Sequence, residues 1–324
     1  MVAPHFALLL PTGSEAFARP AEAVHAGFLE AWKKQSSQTL PVRLYPVDED
    51  PRHVLAAYRQ ALSAGAQLVV GPLTRNGVTA LADAASLITV PTLALNVPER
   101  ITARPSNFYM LSLQVEAEAQ QIARLALGEG RRKALTVSDP TVLARRMREA
   151  FAEEFQRGGG HHIADYAYPD DSAALERIKQ AAGLGVADMV FLAVDAVRVR
   201  ALRPVISAIP GYGTSQLNPG LSGHQDLPDV RFVDMPWMVQ PEHAAVMVYE
   251  HASGGRQGDD MERLYALGID AFRLAQALLG GERNIDIDGV TGRLTLGLDG
   301  QVRRGLLVTV IDGGKITVLG ETRP

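Results

Sequence analysis

His5-Phe6-Ala7-Leu8-Leu9-Leu10, followed at once by Pro11-Thr12-Gly13-Ser14, decides the fold. A short apolar run with no polar alternation suits a parallel strand buried on both faces. The Pro-Thr-Gly-Ser turn ends it. Val24, Phe28 and Trp32 then recur at i, i+4 and i+8, which places them on one face of a helix. The same strand–turn–helix unit repeats outward from here. Strands are expected over 42–45, 67–70, 91–95 and 108–111, with helices over 53–64 and 76–86 between them. Gly65 stops the first of these helices, as glycine commonly does just past a helix end.

The pattern then restarts. Helices are expected over 114–127, 141–156, 172–182 and 197–209, with Asp171 or Ser172 capping the third. Strands fall over 134–137, 163–168, 189–194 and 231–233. The stretch 211–228, rich in Gly, Ser, Asn and Pro, reads as a surface loop. Helices over 241–253 and 261–279 follow. The tail reads as an antiparallel hairpin, 290–298 with 302–311, turning at Leu298-Asp299-Gly300. Two successive blocks of alternating strands and helices mean an α/β chain of two doubly wound lobes. The late elements add to lobes already built, so the first lobe is expected to hold 1–113 plus 240–285 and the second 114–239 plus 286–324. Several crossings between lobes imply a hinge and an interlobe cleft.

Composition narrows the function. The 324 residues are 47% hydrophobic and carry a formal net charge of -4, which gives no electrostatic reason to expect nucleic acid as a partner. Arg131-Arg132-Lys133 and Arg145-Arg146 with Arg148 read as solvated helix ends. There is no cysteine, so disulfides, thiolate metal sites and cysteine nucleophiles are excluded. No run reaches the roughly 20 apolar residues that cross a bilayer. Strand-like sequence begins at His5 with no leader before it, so the chain is expected to be a fragment of a longer protein.

Several short motifs together resemble one family. They are Ala7-Leu8-Leu9-Leu10-Pro11, Ala26-Gly27-Phe28, Gly65-Ala66 leading to Val69-Val70-Gly71-Pro72-Leu73, and Leu93-Ala94-Leu95-Asn96. Leu111-Ser112, Phe232-Val233-Asp234-Met235-Pro236-Trp237 and Gly289-Val290-Thr291-Gly292-Arg293-Leu294 complete the set. The chain is similar over essentially its whole length to the C-terminal domain of the LppC/LpoA family, bacterial lipoproteins that activate class A penicillin-binding proteins. The Asp-Met-Pro-Trp strand end is the most specific of these signals. The resemblance implies a type I periplasmic-binding-protein fold, an upstream lipid anchor and an additional helical domain. It implies a position at the periplasmic face of the outer membrane, with a bifunctional peptidoglycan synthase as partner. Two departures stand out. Amino-acid receptors of this fold place small hydroxyl residues after the third strand, whereas this turn reads Gly71-Pro72-Leu73-Thr74-Arg75-Asn76. The family's frequent Trp-Gly pair between Pro140 and Arg146 is replaced here by Val142-Leu143-Ala144.

In doubly wound sheets, ligands bind outside the carboxyl ends of the strands. That rule selects Thr12, Gly13, Ser14, Thr74, Arg75, Asn96 and Ser112 in the first lobe. In the second it selects Asp139, Asp195, Thr214 and Ser215. Trp237 is a cleft or partner-anchor candidate, with a hinge plug as the favoured alternative. Ser14, Thr74 and Asp139 read more simply as helix caps. His161-His162 point to opposite faces of a strand and do not share an ion. Asp286-Ile287-Asp288-Gly289 lacks the oxygens of a calcium loop and reads as a turn. No Gly-x-Ser-x-Gly elbow surrounds any serine. The leading expectation is a non-enzymatic periplasmic regulator of a class A penicillin-binding protein, needing no cofactor or metal. The alternative is a receptor for an amino acid, short peptide or cell-wall fragment. A hydrolase or sugar-nucleotide enzyme ranks last.

Overall fold

A computed structural model describes residues 2–35, 39–100, 105–168, 172–218, 220, 227–250 and 258–323. The first block runs β1 (His5–Leu10), α1 (Ala18–Lys34), β2 (Val42–Pro46), α2 (Pro51–Ser63), β3 (Ala66–Val70), α3 (Arg75–Asp83), β4 (Thr92–Ala94) and β5 (Phe108–Met110). The second runs α4 (Val115–Gly128), β6 (Lys133–Ser138), α5 (Val142–Arg157), β7 (His161–Ala167), α6 (Ser172–Gly183), β8 (Met189–Ala193), α7 (Ala196–Leu202), β9 (Gly211–Gly213), β10 (Leu227–Asp234) and α8 (Pro236–Val239). Then come α9 (Asp259–Leu279), β11 (Asp286–Asp288), β12 (Arg293–Leu296), β13 (Val302–Gly305), β14 (Leu307–Asp312) and β15 (Lys315–Glu321).

The chain packs as two units. One comprises the residues up to Leu113 together with Glu242–Arg304; the other comprises Gln114–Pro241 and Gly305–Pro324. The first unit holds a parallel sheet in the order β2-β1-β3-β4-β5 and a small sheet β11-β12-β13. The second holds a sheet in the order β15-β14-β10-β9-β8-β6-β7. Its parallel part, β7-β6-β8-β9-β10, repeats the order of the first unit, and β14 and β15 extend it antiparallel. Both are doubly wound α/β sheets.

Alternation along β1 explains why both of its faces are apolar. Ala7 and Leu9 pack into a core with Val54 and Tyr58 of α2 and Val78 and Leu81 of α3. Phe6 faces the other way, against Phe28 of α1 and Phe272 of α9, with all three ring pairs edge to face at 5.3–6.2 Å between centroids. Each such side chain removed from water contributes about 1.5–3 kcal/mol. In the second unit, Leu135, Val137, Val190 and Leu192 pack on Ile178 of α6 and Val199 and Leu202 of α7. Phe191 points to the opposite face and stacks on Phe151 of α5 at 4.2 Å.

Helices α1 and α9 approach so closely that glycine is required at the crossing. A Cβ on Gly27 would overlap the Tyr265 carbonyl, and one on Gly268 would overlap the Val24 carbonyl. Glycine costs about 1 kcal/mol against alanine in a helix interior, and here close contact of two backbones offsets that cost.

The structure departs from the sequence expectations in several places, among them the helix expected over 197–209, which ends at Leu202. Within 211–228, Gly211–Gly213 is no loop but β9, a buried strand paired with β8 and β10. A Cβ on Gly211 would press on Leu192 and Val230, so its neighbours close over it because it has no side chain. The helix expected over 241–253 is absent from its described part, where single turns close on His243. Of its apolar run, Ala245 and Val246 are buried while Met247 and Val248 are exposed. The strand expected over 302–311 divides at Gly305 into β13 and β14, which belong to different sheets. Consequently 286–304 packs with the first unit, and only 305–324 stays with the second. Finally, Asp286–Asp288 is strand β11 rather than a turn.

Tyr212, the central residue of β9, is fully buried. Its hydroxyl donates to Glu129 Oε2 at 2.5 Å, and Arg131 Nε donates to it at 3.4 Å. Burial first, and then the Glu129 carboxylate, push the phenol up to about 12. The folded protein therefore holds this proton more tightly than the unfolded chain, whose phenols titrate near ~10. The stabilisation is complete below that range and is lost as pH rises through about 12. We expect the stability advantage of wild type over Tyr212→Phe to shrink by roughly 2 kcal/mol between pH ~10 and ~12. Urea unfolding of both proteins across that range checks it, and a gap independent of pH refutes it.

Candidate functional site

The candidate residues divide between the units, and each group is described within its own. In the first unit they sit at the carboxyl ends of β1, β3, β4 and β5, which follow one another in one sheet. Most of their polar groups are consumed locally. Ser14 is buried; its hydroxyl donates to the Glu49 carboxylate and accepts from Phe17 N at 3.0 Å, closing the turn into α1. Gly13 N donates to Val47 O, and Thr12 N to Leu10 O. Asn76 Nδ2 donates to Glu49 O at 2.7 Å, and Asn96 Nδ2 to Leu73 O at 2.9 Å. These bonds knit the loops after β1, β2, β3 and β4 into one rim. Thr74 occupies the N-cap position of α3, yet its side chain makes no capping bond. Arg75 follows it, with a buried Nε that has no hydrogen-bond partner.

Ser112 joins a separate network. Its carbonyl accepts from Arg304 Nε at 3.1 Å, and Arg304 also donates to Thr291 O at 3.0 Å. Thr291 in turn donates through N and Oγ1 to Asp270 Oδ2 at 2.7 and 2.6 Å, while Val290 N donates to Asp270 Oδ1. Asp270 lies fully buried on α9. A Cβ on Gly289 would come within 2.6 Å of Asp270 Oδ2 and of the Gly292 carbonyl. The Gly289–Leu294 motif is thus a turn wrapped on one buried carboxylate. Asp270 and Arg304 escape the strand-end rule. The signal that finds Asp270 is a lone acid inside the apolar face of Tyr265-Ala266-Leu267-Gly268-Ile269-Asp270-Ala271-Phe272.

In the second unit the candidates follow β6, β8, β9 and β10, with β8 and β9 adjacent and β6 beside β8. Asp139 does not cap α5; Thr141 does, accepting from Ala144 N at 3.1 Å. Asp139 instead lies 3.1 Å from Arg198 Nε, an ion-pair distance without hydrogen-bond geometry. Burial raises its carboxyl pKa, and nearby Arg198 opposes that shift. Asp195 caps α7 through bonds from Val197 N and Arg198 N and also pairs with the Arg198 guanidinium. Arg198 therefore ties the ends of β6 and β8, and it too escapes the strand-end rule. Thr214 and Ser215 are buried; Thr214 Oγ1 accepts from Gln216 N, and Ser215 N donates to Glu118 Oε2 at 3.0 Å. Asp234 accepts from Asn218 Nδ2 and Met235 N, both at 2.7 Å. Trp237 is 3% exposed, on a short helix that packs on β14 and β15. Its indole is a packing element, with little surface left for an anchor.

His161 is exposed, while His162 lies 3.1 Å from Thr136 Oγ1 and 3.2 Å from Asp165. Among the described residues no three His, Asp or Glu side chains gather as metal ligands, and no helix is long and apolar enough to cross a membrane.

Comparison with known proteins adds what the geometry cannot. The family "LppC putative lipoprotein" matches residues 3–309. A relative from Photobacterium profundum, named penicillin-binding protein activator LpoA, is 26% identical over 97% of this chain and 57% of its own. The chain thus spans little more than half the length of that relative. A solved structure from Chromobacterium violaceum, described as a "putative branched-chain amino acid ABC transporter", is 38% identical over 95% of this chain and 100% of its own, with a TM-score of 0.78. The LpoA C-domain from Haemophilus influenzae, described as a regulator of PBP1A, is 20% identical with a TM-score of 0.78, covering 98% of this chain and 100% of its own.

Proposed function

The chain belongs to the LppC lipoprotein family, and from that premise we propose that it is a non-enzymatic regulatory module that binds and activates a class A penicillin-binding protein. The observation that carries the reading is the alignment of nearly the whole chain with relatives named penicillin-binding protein activators. The fold is that of type I periplasmic binding proteins, and fold alone does not assign function. The chemistry of the strand ends supports regulation over solute capture. Ser14, Asn96, Asp195 and Thr214, the groups best placed to hold a solute, are bonded within their own unit. In the whole protein, an upstream lipid anchor would hold this module at the periplasmic face of the outer membrane.

The test is titration of the chain into the soluble periplasmic part of the host's class A penicillin-binding protein, with transpeptidase turnover followed in parallel. Saturable binding with raised turnover is the expected result. Failure of the complete protein to bind or stimulate the synthase removes the reading.

A second reading, a receptor for an amino acid, short peptide or cell-wall fragment, is favoured by the Chromobacterium violaceum relative. A ligand at a hundredfold its Kd raises folding stability by about 2.7 kcal/mol. A thermal-shift screen with leucine, isoleucine and valine therefore separates the readings. A saturable rise in melting temperature supports the receptor, and an unchanged melt supports the regulator.

A further inference from the structure

The chain sets an asparagine or aspartate directly before glycine in four places: Asn76-Gly77, Asp288-Gly289, Asp299-Gly300 and Asp312-Gly313. Such pairs share one chemistry. The glycine nitrogen, which no side chain shields, attacks the side-chain carbonyl carbon of the residue before it and closes a five-membered succinimide ring. In a folded protein this needs an amide N–H that no acceptor holds. It also needs a side chain able to swing onto that nitrogen, and a glycine backbone with room to rotate.

At three of the four pairs the fold withholds these conditions. Asn76 lies in α3; its Nδ2 donates to Glu49 O at 2.7 Å, and its Oδ1 accepts from Gly77 N at 2.8 Å. Asp288 ends β11 with its carboxylate 3.4 Å from His243 Nε2, and Gly289 N donates to Gly292 O at 3.1 Å. The Asp299 carboxylate accepts from Gln301 N and from Arg303, and Gly300 N donates to Gly297 O at 2.9 Å. Gly77, Gly289 and Gly300 are all buried.

Asp312-Gly313 is the exception. Both residues are exposed, at the turn from β14 into β15. Among the described residues the Asp312 carboxylate makes no hydrogen bond or ion pair, and Gly313 N makes no hydrogen bond. A Cβ on Gly313 would meet nothing within 4 Å, so its peptide groups have room to rotate. Gly313 and Gly314, with φ of 57° and 71°, form a two-residue hairpin turn between the facing residues Asp312 and Lys315.

We propose that Asp312 is a site of spontaneous backbone modification, at which the peptide bond migrates from its α-carboxyl to its β-carboxyl group. Gly313 N attacks Cγ of the protonated Asp312 side chain. The new C–N bond forms, and the carboxyl hydroxyl leaves as water with the amide proton. Water then adds to the ring. Opening at the Asp312 main-chain carbonyl breaks its bond to Gly313 N, leaves a free α-carboxylate and routes the chain through Cβ. One water is lost and one gained, so mass and charge are unchanged, and one carbon has joined the backbone. That carbon lands in a tight turn at the edge of a sheet, where β15 pairs only with β14. The Asp312–Lys315 and Ile311–Ile316 pairs beside the turn lose their register, and Ile316 loosens from the core it packs on. The far end stays held, because Thr322 bonds the Leu306 main chain. The modification therefore frees the start of β15 and leaves the rest of the unit folded.

The experiment ages the full folded chain in warm, mildly acidic buffer and digests samples with trypsin. Cleavage after arginine and lysine places the four pairs on separate peptides, 76–100, 284–293, 294–303 and 305–315. Methyl transfer from S-adenosylmethionine by protein isoaspartyl methyltransferase counts the isoaspartate in each. Peptide 305–315 is expected to carry about tenfold or more the isoaspartate of any other. A sample aged in urea, where the fold protects nothing, is expected to form it at similar rates at Asp288, Asp299 and Asp312. Asp312→Ser, a change in an exposed turn that leaves the fold intact, is expected to remove the signal from 305–315 alone. Isoaspartate at 312 no higher than at 288 or 299 in the folded chain overturns the proposal, as does a signal in 305–315 that survives Asp312→Ser. Amide exchange in the aged fraction is expected to quicken at 315–317 while 307–309 keep their protection. Unchanged protection at 315–317 overturns the loosening of β15.

Discussion

A Gly268→Ala chain will be less stable than wild type by about 3 kcal/mol, a drop of roughly 6–12 °C in the melting of the first unit. The sign is the test. Alanine for glycine inside a helix ordinarily stabilises by up to about 1 kcal/mol, through propensity and a less free unfolded chain. At Gly268 the added carbon would overlap the Val24 carbonyl and crowd Phe28 N, which are backbone atoms and cannot rotate away. The helices α1 and α9 must separate, and the Phe6–Phe28–Phe272 cluster beneath them loosens. Gly128 at the end of α4 provides the contrast, since a Cβ there meets nothing within 4 Å. Gly128→Ala is expected to be neutral or slightly stabilising. The chain has two tryptophans, Trp32 on α1 and Trp237 on α8. Fluorescence in a Trp237→Phe background therefore reports the first unit alone. A Gly268→Ala melt at or above wild type would sink the close-crossing account.

That crossing also shows what the sequence makes legible. The continuous apolar runs reveal the parallel strands because burial on both faces leaves no polar alternation, as Ala7 and Phe6 show by packing on opposite sides. Helices declare themselves through one apolar face. Gly27 stands among the residues that carry the family resemblance, yet its reason, the Tyr265 backbone on α9 far along the chain, is tertiary. Gly211-Tyr212-Gly213 fails for the opposite cause. Its glycines look like loop residues, and only the packing of Leu192 and Val230 around Gly211 shows that they are strand. The residues 242–248 mislead because their apolar run reads as helix, whereas they close only single turns, with Val246 buried and Met247 and Val248 facing solvent.

The candidate site was legible in position and illegible in use. Topology puts Ser14, Asn96, Asp195 and Thr214 at strand ends, and the strand-end rule finds them without coordinates. It does not tell which neighbour takes up each hydrogen-bonding group. Glu49, Leu73 O, Arg198 N and Gln216 N do so, and three of the four lie on or beside loops that the rule treats as open.

Asp270→Ala is expected to cost the first unit about 3–5 kcal/mol, on the scale of losing one member of a buried ionic network. Four donors converge on this carboxylate: Val290 N, Thr291 N, Thr291 Oγ1 and, at 3.3 Å, Arg273. Alanine removes the acceptor and leaves the buried donors without one, at about 1–3 kcal/mol for each group left unsatisfied. Relaxation and water entry keep the total below the sum. Asp270→Asn should fall between wild type and alanine, because its amide retains one acceptor oxygen but turns an N–H₂ toward a donor. Thr291→Val isolates one strand of the network and should cost about 1–2 kcal/mol. The loss should also propagate. Thr291 holds Arg304, and Arg304 holds the Ser112 carbonyl, so amide exchange should quicken at 289–292 in Asp270→Ala before the rest of the first unit. Trp32 fluorescence gives the stability, and hydrogen exchange gives the route. An Asp270→Ala chain that melts within about 2 °C of wild type, with unchanged protection at 290 and 291, would show that the turn is held by packing and that the carboxylate is incidental to it.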